Sequence, residues 1–263
     1  MGVFRTRARN VALDSGNPMH SQEQAAALGL SGPPIAGMTT IDYAVAAIAQ
    51  TWGGQWPRRA GFDFRLLNVI EDGCDITITV TDGLDELRCV VSSPTGDPGL
   101  PGAVVSAWPT GPGSLESWAR PYSPESSGGV PERRSPAELT APLRLGLWEF
   151  GNIAEINAKH LEEMERVDDS GPFVDLRSEG FVMPGTLVDV ANQIVMGNIC
   201  TGSWIHARTR MQFHDFVRVD EGLSAHSVIV ESRHHPDGRF VALDISVLRD
   251  RAVVVRMEHV AIV

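Results

Sequence analysis

The sequence predicts an α+β protein in which two antiparallel sheets each curl around one buried helix, and three observations support this. Two apolar stretches, Met38 to Trp52 and Leu187 to Ile199, repeat their large side chains at helical spacing. Each is followed by short segments rich in β-branched and aromatic residues, bounded by turn-forming dipeptides. Between the two sets, Gly, Pro and Ser dominate residues 111–136, as expected of a linker. A chain of 263 residues can bury one large core or two small ones. Division into 1–110, a 111–136 linker and 137–263 gives two units of about 110 to 130 residues, an ordinary domain size.

The elements follow in order. In the first unit, Met38, Ile41, Val45, Ile48, Ala49 and Trp52 line a helix that Gly53-Gly54 should stop. Strands are expected at Phe62 to Val69, Asp75 to Thr81, Leu87 to Val91 and Ala103 to Trp108, with Asp72-Gly73 and Asp82-Gly83 at turns. In the second unit, Leu143 to Phe150 should supply an opening strand, and a charged helix near Ala158 to Arg166 an outer cover. Leu187, Val190, Ala191, Ile194, Val195 and Ile199 then mark a helix opened by Met183-Pro184-Gly185 and interrupted late by Gly197. Strands follow at Trp204 to Phe213, Ser224 to Ser232, Arg239 to Leu248 and Val253 to Val263. A helix this apolar belongs inside something, and a sheet curled around it is the hot-dog arrangement; two copies make a double hot-dog. A mixed α+β layer fold without this wrapping is the competing architecture.

Composition narrows the function. The net charge is −11 and no Lys/Arg run exceeds a pair, which argues against nucleic acid or an anionic membrane as partner. No window approaches the roughly 20 apolar residues of a membrane span, and the basic start lacks an apolar stretch behind it, so a cytoplasmic protein is expected. Cys74, Cys89 and Cys200 are widely spaced and unpaired by motif, which suggests reduced thiols rather than disulfides or a zinc site. No phosphate-binding glycine loop, GxSxG elbow or zincin pattern is present.

The informative stretch is Asp14-Ser15-Gly16-Asn17-Pro18-Met19-His20, followed by Ala25 to Ala27, Gly29-Leu30 and Ala36-Gly37-Met38 at the start of the first long helix. It resembles the signature of the MaoC-like (R)-specific enoyl-CoA hydratases and acyl dehydratases: Asp-x-Asn-Pro-x-His, a short Ala-containing helix, Gly-Phe, and His-Gly-Met opening the central helix. That resemblance implies His20 and Asp14 as acid/base groups and the Gly37 N–H as donor to a thioester oxygen. It further implies Ser15, Asn17, Ala36 and Met38 as substrate-binding residues. A helix N-terminus suits the oxyanion because its first N–H groups lack intrahelical acceptors and its dipole favours negative charge. The expected activity is reversible hydration of an α,β-unsaturated acyl thioester, without metal or cofactor, with coenzyme A or acyl carrier protein entering as part of the substrate. The acyl thioester is then the partner, and a homodimer of the double unit is compatible with it.

Two positions depart from the signature: Ser15 stands where the family has its Asp, and Ala36 where it has His. Either Asp14 reaches the water through a differently wound loop, or His20 works alone or with Asp14 orienting it, or hydration is absent. The last case leaves a cyclase, isomerase or dehydratase of a natural-product intermediate, or a non-catalytic acyl-binding subunit. Asp14 or Ser15 can equally be a helix N-cap, Asn17 before Pro18 a turn opener and His20 a structural histidine.

Other candidates are weaker. Strict alternation on the strand from Trp204 puts His206, Arg208 and Arg210 on one face, expected to meet water rather than the cleft, with Ile205, Ala207, Thr209 and Met211 on the core side. Arg58-Arg59, or Arg5, Arg7 and Arg9 on the first strand, could meet coenzyme phosphates, although solvation is the default. His234-His235 is expected in a solvated hairpin tip, and Asp244 on an outer sheet face.

Overall fold

The computed structural model describes residues 1–13, 15–52, 59–97, 99–110, 132–167, 177–199 and 202–263. The first half contains β1 (Gly2–Arg7), α1 (Gln22–Ala27), α2 (Gly37–Trp52), β2 (Ala60–Leu66), β3 (Asp75–Asp82), β4 (Leu87–Ser92) and β5 (Ala103–Pro109). The second contains β6 (Leu143–Arg144), β7 (Trp148–Glu149), α3 (Ile153–Glu165), α4 (Pro184–Asn198), β8 (Ile205–Phe213), β9 (Leu223–His235), β10 (Gly238–Arg249) and β11 (Ala252–Ile262).

The strands form one antiparallel sheet in the order β1-β3-β4-β5-β2-β8-β11-β10-β9-β6, with β7 also on β9. The halves are joined edge to edge, where β2 pairs with β8 from Gly61 opposite Gln212 to Arg65 opposite Arg208. The chain thereby removes two strand edges that would otherwise offer unpaired N–H and C=O groups.

Each half surrounds one long helix. In α2 every residue from Thr39 to Ala49 is buried. Its alanines (44, 46, 47 and 49) and its larger Ile41, Val45 and Ile48 are all buried, and the helix packs on β3, β4 and β5. Burying each large aliphatic side chain is worth about 1.5–3 kcal/mol, so the helix is held by packing more than by propensity. In α4, Leu187, Val188, Val190, Ala191, Ile194 and Val195 are buried, and α4 packs on both α2 and α3.

Several expectations are corrected. Gly197 does not interrupt α4, which runs through to Asn198; a Cβ at Gly197 would come within 2.5 Å of the Trp148 ring, so close packing requires the glycine. Residues 143–150 form two short strands rather than one. The helix expected as an outer cover, α3, buries Asn157, His160 and Glu163 along with Ile153, Leu161 and Met164. The linker reading of 111–136 falls largely outside the described residues, as do the Gly53-Gly54 stop, Arg58 and Cys200. No described helix is long and apolar enough to cross a membrane.

Candidate active site

The segment before α2 is fixed by side-chain to backbone bonds. Asn17 caps a single 3-10 turn, Pro18–His20: its Oδ1 accepts from the Met19 N–H at 3.1 Å, and its Nδ2 donates to the Trp204 carbonyl at 3.0 Å. The Trp204 N–H donates back to Oδ1 at 3.5 Å. Asn17 therefore ties the N-terminal loop to the start of β8, and its amide is already engaged with backbone. Ser21 caps α1 by accepting from Gln24 N–H at 3.1 Å. The caps of the 3-10 turn and of α1 are thus Asn17 and Ser21 rather than Ser15. Ser15 Oγ accepts from the Asn17 N–H at 3.4 Å, and Asp14 lies outside the described residues.

His20 follows with its Nδ1 3.0 Å from the Pro34 carbonyl. A carbonyl only accepts, so Nδ1 carries the proton and Nε2 is left with a lone pair. Burial holds the imidazole below its ordinary value, against the opposing effect of the Pro34 bond, and the ring is neutral near pH 7.

The approach to α2 is pinned to the β2–β3 connection, with Ile35 N–H donating to the Ile70 carbonyl at 2.9 Å. Glu71 accepts from the N–H groups of Ser31 and Gly32 at 2.9 and 2.8 Å. The helix then opens at Gly37, where a Cβ would collide with Leu66 Cδ1 and stand 3.2 Å from His206 Nδ1. Only glycine fits without displacing both.

These parts surround one cavity of about 400 Å³. Ser15, Asn17, His20, Ala36, Gly37 and Met38 all line it, so every described member of the sequence-derived site converges there. The second half contributes Asp189, Asn192, Met196, Trp204 and His206. Sequence reasoning missed Asp189. One signal was available, since it is the single charged residue of the helix Pro184–Asn198.

Asp189 is the outer member of a buried cluster. His160 Nδ1 on α3 lies 2.6 Å from Asp42 Oδ2 on α2, and His160 Nε2 lies 3.8 Å from Asp189 Oδ2. Asp42 also packs against Gly185 in the first turn of α4, where a Cβ would overlap its Oδ1. That turn is the electropositive end of the helix. Burial opposes the charge on His160, but the two carboxylates outweigh it and push the imidazole up to about 10. Burial pushes Asp42 up to about 6, against the pull of His160. At neutral pH this is an imidazolium paired with the Asp42 carboxylate, with the Asp189 side chain on its other nitrogen.

His206 corrects the alternation reading. β11 steps from Val260 opposite Arg208 to Ala261 opposite His206, leaving Ala207 as the extra residue of a β-bulge. The bulge brings His206 onto the buried side with Thr209, where strict alternation would have put Ala207. His206 Nε2 is 2.7 Å from Thr209 Oγ1, which is 2.8 Å from His259 Nδ1. The two rings stack at 4.6 Å with 25° between planes. Burial lowers both imidazoles, His206 to about 4.

Several of the remaining candidates have structural partners. Arg7 Nε donates to the Gly73 carbonyl at 2.7 Å, and Arg9, beyond the end of β1, pairs with Glu163 at 3.2 Å. Asp244 pairs with Arg256 at 2.8 Å, and His235 Nδ1 accepts from the Asp237 N–H in the hairpin turn. Among the described residues, no group of three or more His, Cys, Asp or Glu could hold a metal ion.

Fold and cavity define a double hot-dog protein. No family profile and no curated protein matches the chain. Among solved structures, it is similar to a MaoC-like dehydratase at 11% identity and a TM-score of 0.61, covering 99% of this chain and 97% of that one. It is similar to a conserved hypothetical protein of Mycobacterium tuberculosis, described as having a double hotdog fold, at 14% identity and 0.57, with 99% and 95% covered. A third similar structure is the dehydratase domain of PpsC from the same organism, in complex with C12:1-CoA, at 10% and 0.50, with 99% and 92% covered. At these identities the likeness establishes the fold.

Proposed function

We propose that the chain catalyses reversible addition of water to an α,β-unsaturated acyl thioester. The observation behind this reading is the convergence, on one largely apolar cavity, of the Gly37 end of α2, the neutral His20 and the Asp189 carboxylate. The thioester carbonyl is taken to lie at Gly37, with the acyl chain along Leu66, Ile70 and Met196. In the proposed reaction His20 Nε2 takes a proton from water, whose oxygen bonds to C3 as the C2=C3 electron pair moves toward the carbonyl. The resulting oxyanion faces the Gly37 N–H. The His20 imidazolium returns the proton to C2, so substrate plus one water gives the 3-hydroxyacyl thioester. Asp189 accepts a hydrogen bond from the second hydrogen of the same water, which stays on the oxygen in the product, a task for which the sequence had offered Asp14. Solved dehydratases of this fold, one with C12:1-CoA, support the acyl-thioester class.

The test is loss of enoyl absorbance with enoyl-CoA substrates from four to twelve carbons. Hydration by the wild type and its loss in His20→Ala are expected. A protein that hydrates none of them, with His20→Ala binding acyl-CoA as the wild type does, overturns the reading.

A further inference from the structure

We infer that His206 is a second hydrogen-bond donor to the thioester carbonyl, its Nδ1–H placed beside Gly37 and its tautomer set by Thr209 and His259. The inference rests on the acyl-thioester reading of the cavity and adds a residue that the N-terminal motif does not contain.

His206 Nδ1 has no hydrogen-bond partner, belongs to a buried ring that lines the cavity, and stands 3.2 Å from the position a Gly37 Cβ would occupy. The imidazole also interacts with the Arg208 backbone. Nε2 is held by Thr209, and the ring face is covered by His259. Leu66 Cδ1 fills the space beside Gly37, so an acceptor at the start of α2 meets two donors, one from each half of the protein, once the Leu66 side chain turns aside.

The tautomer follows from the relay. The Thr209 hydroxyl has one hydrogen and lies between two ring nitrogens, so it donates to one and accepts from the other. If it donates to His206 Nε2, then His206 carries its proton at Nδ1, and His259 donates from Nδ1 with a bare Nε2. If it donates to His259 Nδ1, then His206 Nδ1 is bare and His259 has a buried N–H at Nε2. Among the described residues His259 Nε2 has no hydrogen-bond partner, and the residue is fully buried. An orphaned N–H is rarer in protein interiors than an under-satisfied acceptor. The first arrangement keeps the bare acceptor in the core and directs the donor to the cavity, where a ligand can satisfy it. Both rings are neutral near pH 7, as the relay requires.

The experiment combines imidazole nitrogen NMR on histidine-labelled full-length protein, with and without butyryl-CoA as an unreactive probe, and kinetics with an enoyl-CoA. The expected spectrum has His206 as the Nδ1–H tautomer, with that resonance shifting on butyryl-CoA binding. His206→Phe, which keeps a stacking ring, should lose roughly 10²–10³-fold in kcat with little change in KM, the usual effect of deleting one oxyanion donor. Thr209→Val, which frees the tautomer while leaving the ring in place, should lose less. An Nε2–H tautomer in free and bound protein, or wild-type kcat in folded His206→Phe, overturns the inference and leaves the hydratase reading standing. Butyryl-CoA binding that shifts His206 without any enoyl-CoA hydration supports the donor and removes the hydratase. A wild type that neither binds nor hydrates acyl-CoA overturns both.

Discussion

His160 holds its Nδ1 2.6 Å from the carboxylate of Asp42, across 118 positions of sequence, and so joins the central helix of the first half to the second half beside the cavity. Removing one partner of a buried ion pair leaves the other uncompensated. His160→Ala should therefore lower the unfolding free energy by about 3–5 kcal/mol in urea melts. The Asp42→Leu/His160→Leu double variant should be more stable than either single variant, since neither member of the close pair is then left without the other. Equal stability of His160→Ala and the wild type would contradict the ion pair.

The same pair predicts a pH dependence. The folded value of His160 is raised, to about 10, so its contribution is fully present below the ordinary histidine value near 6.5 and is lost as pH rises through 10. Unfolding free energy measured between pH 6.5 and 10 should fall with rising pH in the wild type. His160→Asn should flatten that slope.

His20 has the opposite sign. Its value is held below the ordinary one by burial, so its base form persists into mildly acidic solution. The acid limb of kcat/KM for enoyl-CoA should lie below pH 6.5. An acid limb above that value would argue against His20 as the base.

Asp189→Asn should lower kcat by about 10²–10⁴-fold, the range for a positioned acid/base group, while KM changes little. A variant that keeps wild-type kcat would return the carboxylate role to Asp14.

Asn17→Ala removes a cap and leaves the Trp204 carbonyl without its amide donor. A loss of about 1–3 kcal/mol in thermal or urea unfolding is expected, together with a raised KM because the cavity wall is no longer tied across the halves. Unchanged stability would show that the loop is held by other contacts.

Much of this was legible in the sequence, for identifiable reasons. Helical repetition in Met38 to Trp52 and Leu187 to Ile199 located both central helices, because a helix inside a core repeats large apolar side chains at helical spacing. The Asn17, His20 and Gly37 spacing located the cavity, because those residues are set by short local bonds: an Asx cap, the Pro34 contact and a helix start. What was missed depends on contacts distant in sequence. Asp189 faces the cavity through the rotation of α4 about its axis, and Asp42 meets His160 through the packing of α2 on α3. His206 was assigned to the wrong face because alternation assumes an unbroken ladder, and the ladder is broken at Ala207.

That one surplus residue makes the second imidazole a matter of strand length rather than of residue identity. Deleting Ala207 would restore strict pairing and turn over the segment before it. Ile205 would face inward and His206 outward, and Trp204 would lose its alignment with Asn17. A lineage on this scaffold can therefore gain or lose a cavity histidine by a one-codon insertion or deletion at the start of β8, with the pairing of the other strands left as it was.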